Sequence, residues 1–377
     1  MMEKIRLDEL CDINMGQSPD SNSYNQEKDG LPFFQGNADF GELYPTTRMW
    51  CNKPLKVVEK DTLLISVRAP IGALNFATEK CCIGRGLAGI KPKEEVNLKY
   101  IFYCLKYKKV ELNNKGTGST FKAIAKTALG EIKIKALPKQ EQDYHSEVLD
   151  KVSNIIAQRK EQLILLDDLI KSRFVEMFGD QKSNPMKWDK GTIRDIVTEV
   201  KYGTSKPAVE GGKYKYLRMN NITFEGELNL SSLKYIDIPE NEYEKCVVRK
   251  GDVMFNRTNS KELVGKTCVF NQDEEMIIAG YIIRVRTNEK ALPEYLSALL
   301  NSKYGKETLY GMCKAIVGQA NINAQELQDI GILIPPVAFQ QTFVAFKEQV
   351  DKLKVEVQNS LREAQLLFDS LMQKYFG

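Results

Sequence analysis

Apolar residues recur every seven positions along two stretches of the chain. In the first, Leu149, Ile156, Leu163, Ile170 and Met177 form a row, with Val152 and Leu166 beside it. In the second, Phe343, Val350, Val357, Ala364 and Leu371 form the row, flanked by Phe346, Leu353 and Leu367. A seven-residue period kept this long predicts helices that meet along a coiled-coil seam. Pro138 and Pro335-Pro336 cannot continue a helix and mark where the two helices begin. Gly179 and the polar run after it end the first helix. Elsewhere the period changes. Gly130-Glu131-Ile132-Lys133-Ile134 and Tyr281–Arg286 alternate as half-buried strands do. Leu98–Lys109 and Pro293–Asn301 read as short helices, with Asn97 and Pro293 at their starts. Gly and Asn punctuate the rest. The fold class is therefore mixed α/β (α+β), with largely β blocks carrying a few helices.

The pattern occurs twice. Ile124, Leu129, Ile132, Ile134, Pro138 and Gln142 recur 198 positions later as Ile322, Leu327, Ile330, Ile332, Pro336 and Gln340, and Phe178-Gly179 as Phe376-Gly377. Upstream, Met15-Gly16-Gln17-Ser18-Pro19 parallels Tyr202-Gly203-Thr204-Ser205-Lys206-Pro207, and Ile71-Gly72 parallels Val264-Gly265. Asp61-Thr62-Leu63-Leu64-Ile65 is matched to Asp252-Val253-Met254-Phe255-Asn256 on its leading aspartate. Four segments follow: block 1 at 1–139, a central helix at 140–180, block 2 at 181–337 and a closing helix at 338–377.

Composition narrows the function. With 42% hydrophobic and 28% charged residues in 377, the chain is globular, and no apolar run is long enough to span a bilayer. A soluble cytoplasmic protein is expected, without membrane contact, its eight cysteines buried and reduced. The lone histidine, His145, sits in a polar first helical turn and is read as solvated. Without a second histidine or a Cys/His cluster, neither a zinc site nor a catalytic triad is expected. The charge is uneven. Block 1 carries a net +6 and block 2 a net +2, whereas the central helix carries −4 and the closing helix 0. This suits blocks that touch a polyanion and helices that touch protein.

Candidate contacts follow from chemistry. Arg, Asn and Gln pair bidentately with guanine and adenine edges, and Gln35 and Asn37 in block 1 parallel Arg218, Asn220 and Asn221 in block 2. A second cluster holds Arg68 in one block and Arg257, Asn259 and Lys261 in the other. Ser119, Thr120 and Lys122 lie in a glycine-rich loop suited to a phosphate, and Gln319 and Asn321 stand at its counterpart. Asn, Gly and Ser in such loops are also plain turn formers. On the helices, Leu165, Phe174, Phe178, Phe368 and Phe376 exceed what one helix pair can bury, and are expected to face partner proteins. Enzymatic signatures are missing. No N-P-P-[FY] stretch or glycine-rich strand–turn–helix supports a methyltransferase, and Glu131-Ile132-Lys133 loses its lysine in the repeat.

The repeated junction, with Gly118-Ser119-Thr120 three residues before Ile124 and Leu137-Pro138 three before Gln142, resembles the DNA-sequence specificity subunit of type I restriction–modification enzymes along the whole chain. The resemblance implies two target recognition domains that read the halves of a bipartite, asymmetric site in double-stranded DNA. It implies antiparallel helices as a spacer that docks two methylation subunits and, through them, restriction subunits. Catalysis, S-adenosylmethionine and ATP would belong to those partners, and this chain would need no cofactor. The competing reading is a single-chain methyltransferase or nuclease with fused recognition domains.

Overall fold

A computed structural model of the chain describes residues 4–118, 122–313 and 319–377. They form two compact units, one from 1–159 and 360–377, the other from 160–359. Each unit takes in a β-rich block and one half of each long helix, Lys139–Phe178 and Val337–Phe376.

Both units are built on one plan. The first has a four-stranded antiparallel sheet in the order Cys11–Met15, Leu87–Pro92, Leu63–Ser66, Leu74–Phe76. The second repeats it with Val197–Tyr202, Ile282–Thr287, Val253–Asn256 and Thr267–Val269. A further sheet in each holds one parallel pair, Leu31–Phe34 with Cys81–Ile83 and Tyr214–Leu217 with Met276–Ile278. A short ribbon closes each block where its long helix begins, Lys4–Arg6 against Lys133–Lys135 and Asp189–Thr192 against Gly331–Ile334. The short helices form as expected. Asn97 accepts from the Lys99 and Tyr100 amides at the start of Leu98–Tyr107, and proline opens Pro293–Asn301. All eight cysteines are buried and unpaired.

Hydrogen bonds fix the repeat residue by residue and correct one register. Asp252 takes the place of Thr62, because Ala77 and Phe270 donate to their carbonyls at 2.9 and 2.8 Å. Asp61 therefore corresponds to Gly251. Both have a left-handed backbone, φ 62° and 91°, and the matching aspartates misled the alignment by one residue. The sheets also pack differently. Gly89 leaves no room for a side chain, since a Cβ would stand 2.6 Å from Val58. Its counterpart, Arg284, is fully buried and donates to the Val247 and Glu244 carbonyls and to Glu199. Burial opposes the charge of Glu199, but Lys201, Arg284 and Arg286 hold its carboxyl below the usual range.

The long helices begin directly after Pro138 and Pro336. Gly179, at φ 74°, stops the first, and the Trp188 indole N–H donates to the Phe178 carbonyl at 3.2 Å. Within each unit the helix halves run antiparallel. In the first, Arg159 meets Ser360 at 3.1 Å while His145 stacks on Tyr375, with ring centroids 3.8 Å apart. His145 is thus half-buried rather than solvated, and burial pushes its pKa down. In the second, Lys354 reaches Asp167 at 2.6 Å and also binds Glu227. Burial opposes that ammonium's charge, but the two carboxylates outweigh it and hold its pKa above the usual value.

The seam pattern needs two corrections. Leu353 and Leu367, expected in the seam, are about half exposed. Phe174, Phe178, Phe368 and Phe376, expected to face partners, are buried. Phe178 lies 5.0 Å from Tyr295 and 5.5 Å from Phe343, and Phe376 lies 5.6 Å from Tyr100. Each block covers the aromatic side of its own helix segments, a third layer that a helical period cannot reveal. Of the five, only Leu165 is exposed.

The repeated glutamine joins block to helix. Gln142 accepts from the Asn97 amide at 2.9 Å and donates to the Leu137 carbonyl at 2.8 Å. Gln340 accepts from the Leu292 amide and donates to the Lys290 and Pro335 carbonyls, at 2.8–2.9 Å. Gln340→Leu should cost about 2–4 kcal/mol, since each unpaired buried polar group costs about 1–3 kcal/mol. Gln142→Leu strands fewer groups and should cost less. Urea unfolding of both variants checks the order.

Candidate nucleic-acid interface

A short turn follows the inner strand of the further sheet in each unit. In the first, Asp39 accepts from the Gln35 and Gly36 amides at 2.8 and 3.3 Å, leaving Gln35 exposed and Asn37 half-buried. In the second, Asn221 does this work. It is 1% exposed, accepts from the Arg218 amide at 2.8 Å and donates to the Asn229 carbonyl at 2.8 Å. Asn221 is thus committed to the turn and cannot offer its amide to a base. Asn220 stays exposed, and Arg218 extends toward the Ser232 carbonyl at 3.4 Å. Lys266 clamps this turn from below, donating to the Met219 and Ile222 carbonyls at 2.8 and 2.5 Å. Beside it Lys306 donates to the Gly265 carbonyl at 3.2 Å. Burial, aided by the Lys266 charge, lowers the Lys306 pKa to about 8.

The second cluster lies where the central sheet meets the loop before the junction. Arg68 is exposed and bridges Ala123, and the Ala69 amide donates to the Lys122 carbonyl at 3.0 Å. Ser119 and Thr120 lie outside the described residues. In the second unit Thr258-Asn259 pairs with Ala320-Asn321, and the Thr258 hydroxyl donates to Asn321 at 2.9 Å. Asn259 donates to the buried Asn256 at 3.0 Å. Lys261 lies over the Tyr310 ring at 4.0 Å, and Gln319 and Asn321 are exposed. The one-residue shift reaches this cluster too. Arg68 corresponds to Thr258, and Arg257 to Val67, because Ile124 and Ile322 donate to the Val67 and Arg257 carbonyls, both at 2.9 Å.

Backbone bonds bring turn and cluster to one edge. In the first unit Gly84 donates to the Phe34 carbonyl and Val67 to the Gly86 carbonyl, both at 2.8 Å, so Gln35, Arg68 and Lys122 flank the 84–86 loop. In the second, Ala279 donates to Leu217 and Arg257 to Tyr281, both at 2.9 Å. The Met-Gly and Tyr-Gly repeats serve this edge. A Cβ at Gly16 or Gly203 would stand 2.2 or 2.1 Å from the carbonyl oxygen of Gly84 or Ile278. Sequence reasoning missed Arg85, which stands mid-edge between two glycines. It also missed a cleft of about 480 Å³ lined by Tyr202, Thr204, Lys206, Lys245 and Arg257. The Gly84-Arg85-Gly86 tripeptide was the available signal. In the cleft, Lys206 pairs with Glu242 at 2.9 Å, leaving Lys245 and Arg257 as an excess of cations. Cations and amides along a sheet edge suit a polyanion with readable hydrogen-bonding edges. Among the described residues no three His, Cys, Asp or Glu side chains gather as a metal site, and no helix is long and apolar enough to cross a membrane.

Two copies of one scaffold, each joined to halves of long paired helices, define a tandem-repeat protein. The family model for the type I restriction modification DNA specificity domain matches residues 1–165 and 185–366, and the chain belongs to that family. It is 50% identical over 152 residues, 40% of its length, to a Methanocaldococcus jannaschii protein described as a type I restriction enzyme MjaX specificity subunit. It is 25% identical over 220 residues, 56% of its length, to the type I restriction enzyme EcoKI specificity subunit of Escherichia coli K12. The chain spans 36% and 47% of these two relatives. The crystal structure of a type I restriction–modification S subunit from M. genitalium shares the fold over the full chain and 96% of its own, at TM-score 0.61 and 16% identity.

The lowered pKa of Lys306 sets a pH dependence. Between about 8 and the ordinary lysine value of 10.5 the unfolded chain binds more protons than the folded one, so stability rises with pH. The penalty is complete below that window and fades through it. Lys306→Met carries no such penalty. The difference between variant and wild type should therefore move in the wild type's favour as pH rises from about 7 to about 10, as thermal melts would show.

Proposed function

We propose that this chain is the non-catalytic DNA-sequence specificity subunit of a type I restriction–modification enzyme. Block 1 (1–139) and block 2 (181–337) are target recognition domains, each reading one half of a bipartite site in double-stranded DNA. The observation that carries this reading is the duplicated edge: one scaffold twice in one chain, each copy presenting amides and cations on the same loops. Gln35, Asn37, Arg68, Lys122, Arg218, Asn220, Arg257, Asn259, Lys261, Gln319 and Asn321 are the contact residues, with Ser119 and Thr120 in the loop beside Lys122. The experiment is to express the chain with a type I methylation subunit in a host lacking other adenine methylation, and to map the methylated adenines. A two-part motif with unspecified bases between its halves is the expected outcome. Methylation without sequence preference, or by this chain alone, overturns it.

The helices dock the methylation subunits, and restriction subunits join through these. Supporting this, Ile164, Leu165 and Leu169 on the first long helix are 62%, 59% and 46% exposed, and Leu165 and Leu169 share a face at four-residue spacing. Exposed apolar side chains grouped in this way suit a protein partner. Leu165→Asp with Leu169→Asp should reduce co-purification with the methylation subunit at least tenfold, about 1.4 kcal/mol or more. The unfolding midpoint should not change, because neither side chain is in the core.

A further inference from the structure

We propose that one arginine in each unit, Arg85 in the first and Arg257 in the second, is the specificity-determining residue at the centre of its edge, where it reads a guanine. The proposal rests on the DNA-reading function proposed above. Its basis is a coincidence of place without a coincidence of sequence. Gly16 and Gly203 donate to the Leu87 and Ile282 carbonyls at 2.9 and 3.1 Å, and Gln17 and Thr204 to the Ile83 and Ile278 carbonyls at 3.1 and 2.9 Å. These bonds align the loop 84–86 with 279–281, so Arg85 stands where the second unit has Gly280. The second unit has no side chain there. Its arginine instead comes from the neighbouring strand, where the first unit has Val67, and the Arg257 guanidinium reaches back to the Gly280 carbonyl at 3.4 Å. Each unit thus brings one guanidinium to the same loop from a different chain position.

The Arg257 site holds that group against an aromatic ring. Its guanidinium carbon lies 4.8 Å from the Tyr202 ring centroid, and its Nε is buried without a hydrogen-bond partner. It lines the cleft beside Lys206 and Lys245. A guanidinium fork held over a tyrosine ring and facing an open cleft matches the paired O6 and N7 acceptors of guanine. The same fork also fits a phosphate, and the salt slope in the test below separates the two. Arg85 is exposed, and the Ser18 hydroxyl accepts from its amide at 3.3 Å. A Cβ on Gly86 would stand 2.2 Å from the Gln35 carbonyl oxygen, so the loop is pressed against the Gln35 turn with Arg85 as its projecting side chain.

The test selects bound duplexes from a DNA pool with a randomised centre, using the full chain and its Arg85→Ala, Arg85→Lys, Arg257→Ala and Arg257→Lys variants, each in complex with a type I methylation subunit. Wild type should select a bipartite sequence. Each variant should lose the preference for guanine at one position, Arg85 variants in one half and Arg257 variants in the other, with discrimination there falling about 5- to 150-fold. The lysine variants keep charge and stem, so they should still bind and still lose that position. Retention of every base preference, with a salt slope shallower by about 0.9, would reveal a phosphate contact and end the proposal. So would loss in the same half by both arginines. If wild type selects no sequence at all, the function proposed above fails with it; if wild type selects and the variants select identically, only the arginine assignment fails.

Discussion

Everything in each unit hangs from one buried amide. A glutamine side chain has two donor hydrogens and an acceptor, and burying it is costly unless they are used. Gln142 and Gln340 spend them on the amide that opens a short helix and on the carbonyl just before a proline. Those partners belong to different layers, so the bonds fix the direction in which each long helix leaves its block. The proline fixes the backbone at the helix entry, where the preceding carbonyl accepts from the glutamine. This is why proline and glutamine keep their spacing in both copies while the residues between them drift.

Where the copies differ, one physical problem has two answers. The two sheets of each block must meet, and the first unit achieves this with absence: Gly89 lets Val58 approach. The second fills the same place with Arg284, whose buried charge is tolerable because Glu199 and two carbonyls surround it. Such a cation is worth little as a source of stability. It does impose one arrangement on the strands around it, since any other would leave the guanidinium unpaired. The turn shows a parallel exchange, with Asp39 accepting what Asn221 accepts in the other copy.

How much could be read in advance follows from the range of each signal. The long helices declared themselves through period, and their ends through proline and glycine, because these are local effects. The junction was legible because identical residues recur at a constant offset. The register before it was not: an aspartate matched an aspartate, whereas the backbone pairs Asp61 with Gly251 through their left-handed geometry. The aromatic residues of the helices were placed outside because a helical period identifies a stripe but not what covers it. At the edge, residue chemistry singled out loops that the backbone brings together, and it included Asn221, whose amide the turn consumes. Arg85 escaped because its counterpart is a place, reached by Arg257 from another strand, and no alignment of letters can find it.

The division of the chain between the units bears on how it is made. Residues 160–359 form the second unit without interruption, whereas the first needs 360–377 as well as 1–159. Its core includes Phe368, Met372, Tyr375 and Phe376 beside Leu149, Val152 and Ile156. On the ribosome, the block translated first is therefore the one completed last, the reverse of the usual vectorial order. Throughout synthesis of the second unit the first carries an open apolar wall, and any nascent chain halted before residue 360 retains it. A chain halted just before residue 360 would keep one finished unit, the second, and be marked for chaperones and proteases by the first.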